Sequence, residues 1–372
     1  MRVLYFSRAY SPHDHRFLEV MARSAHEIHF LQLESSGGSD DRPVPAAVRR
    51  VQWLKGARPF RWQDAPARRG ELRRILADLK PDVVHAGPIQ NCAFLTALAG
   101  FHPLVAMSWG SDLLRDAHRS RVWEWATRYT LTHTDVLLGD CRAVADEAAA
   151  YGFSAGRTVL FPWGVDLEQF SPGPDGGLRE RLGWQDQFVL LCLRSWEEVY
   201  GVDHLLRAFA RAAAQNPALR LLLLGNGSQA GLVHQIIADH QLQDRVHLGG
   251  RIKQADLPRY YRAADLYVSA SHSDGSSVSL LEALACGLPA LVSDIPGNRE
   301  WVQEGVQGWL FPDGDETRLA ESIQHIAGES EALSAMGKAG RKTAEEGANW
   351  KENSQRLWQA YDMALDNGGA VE

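Results

Sequence analysis

Short, unbroken apolar runs separated by longer stretches of helical spacing recur along the chain, and this alternation constrains the fold more than any other feature. Val3–Phe6, Glu27–Leu33, Asp82–His85, Leu104–Ser108 and Val136–Leu138 read as strands of a first half. Phe188–Leu193, Leu219–Leu224, Arg245–Leu248, Leu266–Ser269 and Pro289–Ser293 read as strands of a second. The runs are continuously apolar, as strands covered on both faces should be. Between them, segments such as Gly201–Asn216 and Gly231–Gln241 carry apolar residues at helical spacing. Strand–helix alternation of this kind builds parallel sheets through right-handed crossovers. A chain of 372 residues is too long for one ordinary core and suits two such domains. The expected class is α/β, with two Rossmann-like domains facing a central cleft.

The join is expected near Phe161-Pro162-Trp163-Gly164-Val165-Asp166, followed by the Pro/Gly cluster Ser171–Gly177. This divides the chain into domains 1–165 and 166–349, with a final amphipathic helix over Trp350–Leu365. Ser35–Asp41 reads as a short flexible loop. Open α/β sheets bind ligands at the carboxyl ends of their strands, so a small-molecule site is expected there.

Composition narrows the choice. No apolar run reaches the ~20 residues that span a bilayer, and the N-terminus reads as a first strand rather than a signal peptide. The four cysteines, Cys92, Cys141, Cys192 and Cys286, have no paired spacing. They argue against a zinc site or disulfide framework and for a reducing, cytoplasmic compartment. The net charge of −7 carries no signature of nucleic-acid binding. Its distribution is uneven: residues 1–165 hold 21 Lys/Arg against 17 Asp/Glu, and the remainder 18 against 29. Arg42–Lys80 holds 11 basic residues, three acids (Asp64, Glu71, Asp78) and the aromatics Phe60 and Trp62. Such a stretch can dock at the periphery of an anionic membrane. The other reading, slightly favoured, is an ordinary solvated helix around Arg68–Lys80.

The most informative segment is His272-Ser273-Asp274-Gly275-Ser276-Ser277-Val278-Ser279-Leu280-Leu281-Glu282, running on to Pro289. A small polar loop that opens a helix presents backbone N–H groups and the positive end of the helix dipole, a seat for a diphosphate. Glu282, eight residues after Asp274, can accept two hydrogen bonds from the vicinal hydroxyls of a ribose. On these residues alone the alternative, Asp274 as a helix cap and Glu282 solvated, stands level with it.

This segment resembles the two-acid signature of retaining glycosyltransferases of the GT-B fold, glycosyltransferase family 4. Their usual form is Glu, seven residues, Glu, then "EAMACGLPV"; here Glu282-Ala283-Leu284-Ala285-Cys286-Gly287-Leu288-Pro289-Ala290 follows Asp274. Pro162-Trp163-Gly164-Val165-Asp166 with Phe170 and Pro172 is similar to the family's "NGVDxxxFxP". Leu224-Gly225-Asn226-Gly227 resembles its "GxG" turn, and Gly250-Arg251-Ile252 its base-contacting loop. Asn298–Gly308 and Asp313-Gly314-Asp315 resemble its closing segment. The likeness spans nearly the whole chain and is densest from 162 to 320.

The resemblance implies a GT-B fold whose C-terminal segment, 350–372, crosses back to an acceptor-binding first domain. It implies transfer of a sugar from a nucleotide-diphosphate donor to a saccharide or lipid-linked acceptor, with retention, without cofactor or metal. Glu282 would hold the ribose and Asp274 would border the donor sugar. Gly275 and the amides of Ser276, Ser277 and Val278 would face the distal phosphate, and Gly225, Arg251 and Ile252 would line the nucleotide. Arg194 would bridge the pyrophosphate, as a charged fork suits. His85 would be a first-domain catalytic residue, with an even chance of being structural. Asp112, Trp109, His13 and Arg16 would lie on the acceptor side. Paired with His15, His13 also fits a metal-ligand spacing, but no third ligand lies nearby in sequence. Two departures stand out. Tyr200 occupies the place of a phosphate-binding Lys, for which Arg251 or Arg299 would have to substitute, and Trp109 replaces a His. Two other readings on the same fold are a sugar-nucleotide epimerase and a non-catalytic sugar-nucleotide-binding protein.

Overall fold

The computed structural model describes residues 1–34 and 42–368; the expected loop Ser35–Asp41 lies outside the described residues. Two compact units emerge: Met1–Trp163 with Lys351–Glu372, and Gly164–Trp350.

The first unit is built on a seven-stranded parallel sheet. Its strands are β1 (Arg2–Ser7), β2 (Glu27–Gln32), β3 (Arg49–Val51), β4 (Val83–Gly87), β5 (Leu104–Met107), β6 (Val136–Gly139) and β7 (Thr158–Leu160). They are ordered β3-β2-β1-β4-β5-β6-β7. Leu4, Phe6, Val84, Ala86, Leu104 and Ala106 join a core that includes Leu72 and Leu95 of the flanking helices. The chain direction across the sheet reverses between β1 and β4, which marks the topological switch point.

The second unit has six parallel strands: β8 (Phe188–Cys192), β9 (Leu219–Leu224), β10 (Val246–Gly250), β11 (Leu266–Ser269), β12 (Ala290–Ser293) and β13 (Gly308–Phe311). The order is β10-β9-β8-β11-β12-β13, with the switch between β8 and β11. Side chains of β8 alternate between two cores: Leu190 and Cys192 enter one, Val189 and Leu191 the other. This is why the strand reads as a continuous apolar run: both faces are covered.

Three strands were not legible as apolar runs, and all lie at sheet edges: β3, β7 and β13. β3, Arg49-Arg50-Val51, carries little apolar character, while β7 (Thr158–Leu160) and β13 (Gly308–Phe311) are apolar but only three and four residues long. The terminal segment also differs from expectation. A turn, Trp350–Asn353, is tied by Trp350 N–H to Val165 O (3.1 Å) and by Asn353 Nδ2 to Pro162 O (3.2 Å). Only after Ser354–Gln355 does the helix Arg356–Gly368 begin, packing on β4 to β7 of the first unit.

Arg341, on the helix Ser330–Gly347, staples the second unit internally. Its guanidinium donates to Phe170 O (2.8 Å), Leu167 O (3.3 Å) and Ala285 O (2.8 Å), the last being the final residue of the helix Val278–Ala285.

Candidate functional site

In the second unit the motif residues gather at the carboxyl ends of the strands. Arg194 follows β8, Gly225 follows β9, Arg251 and Ile252 follow β10, and the loop to Ser277 follows β11. Gly225 N–H donates to Gly250 O at 2.8 Å, which sets the β9 and β10 loops side by side. Arg194 and Asp274 leave the two strands that flank the switch point, where such sheets bind ligands.

Arg194 is the centre of the arrangement. Its Nη2 lies 2.6 Å from Asp274 Oδ2, a close ion pair rather than a well-directed hydrogen bond. Nη1 donates to Ser277 Oγ (2.7 Å) and reaches Ser279 Oγ (3.3 Å), whose oxygen is 2.8 Å from Tyr267 OH. The ring of Tyr200 covers the guanidinium with its centroid 4.1 Å from Cζ. The side chains of Arg194 and Asp274 are only 10% and 16% exposed. Burial pushes the Asp274 carboxyl up, and the adjacent Arg194 opposes that shift. Burial is the strongest single influence and works against the Arg194 charge, but Asp274, Tyr200, Tyr267 and Cys192 together outweigh it, and the guanidinium stays protonated. Arg194 Nε is buried with no hydrogen-bond partner in the described residues. An orphan donor of this kind costs about 1–3 kcal/mol and marks a site where the chain has not satisfied itself.

The helix Val278–Ala285 begins just past this cluster, with Ser277 as its N-cap residue. Asp274 is therefore not the cap; its carboxylate is spent on Arg194. The first-turn amides of a helix have no intrahelical acceptor, so the N–H groups of Val278, Ser279 and Leu280 have none within the helix; the ladder begins with Leu281 N–H to Ser277 O. Ser276 is buried and accepts from Trp301 Nε1 at 3.1 Å. Gly297 presses against the loop: a Cβ there would fall 2.4 Å from Gly275 O, so a side chain would displace the loop that carries Asp274.

Glu282 is not solvated. It is 5% exposed; Tyr261 OH donates to Oε2 (2.7 Å) and Gln254 Nε2 to Oε1 (3.1 Å). Tyr261, Gln254 and Tyr267 are supporting residues that the motif alone did not reveal. None has a spacing signature, because they act by reaching the motif from other elements. The Lys substitutes fare differently. Arg299 is forked onto Asp294, at 2.5 and 2.8 Å, whereas Arg251 is exposed.

The first unit places its candidates otherwise. His85 was expected at a strand end, but β4 runs on to Gly87 and His85 sits inside it, paired in register with Tyr5 and Val105. It has no exposure and packs edge-on against Tyr5, Phe17 and Tyr361. Nδ1 is 2.8 Å from Tyr361 OH and Nε2 is 3.2 Å from Met107 Sδ. Burial lowers its pKa to about 3. His85 is a neutral core residue here, and its catalytic assignment is withdrawn. Asp112 is also buried: Oδ1 accepts from Ser108 Oγ (2.6 Å), Trp109 N (3.0 Å) and Leu113 N (3.0 Å), and Oδ2 from Ile89 N (2.9 Å). Its carboxylate ties two loops together and has no evident capacity left for an acceptor.

Trp109 is partly exposed, with ring centroids 5.4 Å from His13 and 6.2 Å from Trp163. Arg16 Nη2 donates to Trp163 O (3.2 Å), and His15 Nδ1 lies 2.6 Å from Tyr10 OH. The helix Ala65–Leu79 buries one face, through Ala65, Arg68, Leu72 and Leu76, and exposes the other. Arg68 is buried over the Trp53 ring (4.5 Å), while Arg69 and Arg73 donate to Leu98 O (2.7 Å) and Ala99 O (2.9 Å). Arg61 and Arg74 are exposed, as are most other basic residues of the stretch Arg42–Lys80, Arg69 and Arg73 included.

Two family models match this chain in tandem. Glycosyltransferase Family 4 covers residues 13–169 and Glycosyl transferases group 1 covers residues 177–343, which holds Arg194, Asp274 and Glu282. The chain belongs to this glycosyltransferase family. Among its relatives is a D-inositol 3-phosphate glycosyltransferase of Geodermatophilus obscurus, 33% identical over 61% of this chain and 53% of the relative. The chain thus spans about half the length of the curated relatives it matches. Among solved structures, the sucrose-phosphate synthase of Thermosynechococcus elongatus superposes with a TM-score of 0.82 at 19% identity, covering 98% of this chain and 100% of that one. Anabaena HepE in complex with UDP-glucose gives 0.79 at 20% identity, over 97% and 99%. At these identities the likeness establishes the GT-B glycosyltransferase fold and no more. Among the described residues, no helix is long and apolar enough to cross a membrane.

Proposed function

We propose that this protein transfers a sugar from a nucleoside-diphosphate donor, UDP- or GDP-linked, to a hydroxyl of a saccharide or lipid-linked acceptor, with retained anomeric configuration. The observation that carries the proposal is one buried, permanently charged guanidinium held beside the start of a helix by Asp274 and Ser277, with a buried carboxylate on the same helix. Arg194 takes the diphosphate by paired hydrogen bonds, and the amides of Ser276, Ser277 and Val278 receive the distal phosphate. Glu282, oriented by Tyr261 and Gln254, accepts from the ribose hydroxyls. Asp274 borders the donor sugar. As the glycosidic bond to the diphosphate breaks, negative charge grows on the leaving oxygens, and donors already in place stabilise it without reorganisation. The acceptor hydroxyl then attacks on the face the diphosphate has left; no side chain is assigned as a covalent nucleophile.

A uridine donor is favoured by HepE, a fold neighbour solved with UDP-glucose. Trp109, His13 and Arg16 are the acceptor-side surface in this reading, and Arg61 and Arg74 keep a peripheral contact with anionic lipid open. Four buried cysteines, dispersed along the chain, fit a cytoplasmic setting. Thermal-shift titration with UDP, GDP and their sugars tests the reading, because a ligand that binds only the folded state raises its stability. A rise in melting temperature with one nucleotide, lost in Glu282→Ala, is the expected result. An undiminished shift in that variant overturns the ribose assignment.

A further inference from the structure

We infer that Tyr200 is a positioning residue for donor binding, acting through Arg194 by stacking rather than by contact with the phosphates. The inference rests on the donor-site reading above and deepens it. Tyr200 stands where the resemblance places a second phosphate cation; of the two arginines that could replace it, Arg299 is forked onto Asp294 and Arg251 is exposed rather than held in place. Neutralising the diphosphate then falls chiefly on Arg194, and its orientation becomes decisive.

The guanidinium is fixed on two sides. Asp274, Ser277 and Ser279 hold its edges, and the Tyr200 ring covers one face at 4.1 Å. A cation over an aromatic face is attracted by the ring quadrupole, more strongly when both are shielded from water. Tyr200 is itself held in place. It ends the turn Glu198–Tyr200, and the next residue, Gly201, has φ +56° and packs so tightly that a Cβ would lie 2.2 Å from Ala270 O. From the loop after β11, His272 N–H donates to Val199 O at 2.9 Å. The loop that carries Asp274 thus also anchors the turn that carries Tyr200, and both converge on one side chain. Stacking removes rotamer freedom from Arg194 before the donor arrives, which lowers the cost of ordering it on binding.

A double-mutant cycle over Arg194→Met and Tyr200→Leu, read as UDP and GDP dissociation constants by calorimetry, tests this. Tyr200→Leu alone weakens binding of the preferred nucleotide by about 3- to 30-fold, the range of a shielded cation–π contact. Tyr200→Phe, which retains the ring, recovers most of that loss. In the Arg194→Met background Tyr200→Leu has no further effect, because there is no cation left to stack on. Equal losses in both backgrounds, or equal losses for Leu and Phe, overturn the inference. Should Tyr200→Leu fail to fold, Tyr200→Gln takes its place in the cycle. Glu282→Ala separates the two levels: if it abolishes binding while Tyr200→Leu changes nothing, only the role of Tyr200 falls. Wild-type protein that binds neither nucleotide overturns the site reading and the inference with it.

Discussion

Asp274 and Asp112 are both largely shielded aspartates just past parallel strands, one on a loop of the second unit and one in the short helix Ser111–Leu114 of the first, and their surroundings could hardly differ more. Asp112 has four donors aimed at its two oxygens, all from its own loop and the neighbouring one. Asp274 meets a single cation at 2.6 Å, leaves the partner's Nε orphaned, and sits on a loop pressed by Gly297. A carboxylate satisfied by neutral N–H and O–H groups of its own backbone is a fastening. A carboxylate set against a guanidinium that keeps an orphaned Nε is a charge pair in which one donor is unspent. The two local patterns, a strand end followed by a small polar loop with an acid, do not distinguish them; the partners do.

Breaking the second unit's pair should have the largest effect. Arg194→Met is expected to weaken nucleotide binding roughly 30- to 1,000-fold, as loss of one partner of a buried charge pair does, measured by calorimetry with UDP and GDP. Unchanged affinity would place the diphosphate elsewhere. Breaking the fastening should act on stability instead. Asp112→Ala orphans four buried donors and is expected to cost about 3 kcal/mol in denaturant unfolding, without selective loss of nucleotide affinity.

The same comparison sharpens with pH. Burial pushes the Asp112 carboxyl up to about 6, above its unfolded value of about 3.9. The folded state therefore binds the proton more tightly, and the contribution of this group to stability falls as pH rises from about 4 to 6. Asp112→Asn should remove that limb from the melting profile. His85 has the opposite sense. Its folded pKa is lowered to about 3 by burial, so the unfolded chain takes up the proton first, and stability is full above about 6.5 and lost as pH falls below it. His85→Phe should flatten the acid limb below pH 6.5, and turnover surviving in that variant would agree with its place in the core. The smallest effect is expected from Arg299→Ala, an exposed pair with Asp294, which should leave melting and nucleotide affinity within error of wild type.

Most of the fold could be read from the apolar runs, because strands covered on both faces must be apolar throughout, as Leu219–Leu224 is. β3 escaped because Arg49-Arg50-Val51 has little apolar character, and β7 and β13 because they are only three and four residues long. Of the candidate site, Asp274 and Glu282 were legible as a motif, fixed by their spacing within one loop and helix, whereas Arg194 came from the resemblance and reaches Asp274 from the end of β8. Tyr261 and Gln254 were not: they reach Glu282 from the helix Leu257–Arg262 and the turn before it, across a distance in sequence that only folding closes. His85 was misplaced by two residues of strand length. The strand continued to Gly87, and a residue expected at a mouth was instead walled in by aromatic rings.

The Arg341 staple has a bearing on how the protein comes into being. The carbonyl that closes the Glu282 helix and the carbonyls of Leu167 and Phe170 at the unit's beginning are gathered by a side chain more than fifty residues beyond the last acid of the motif. During synthesis, every residue that would touch a nucleotide leaves the ribosome before the one that ties the helix down. A fragment cut short of Arg341 would carry the whole motif and still lack its anchor.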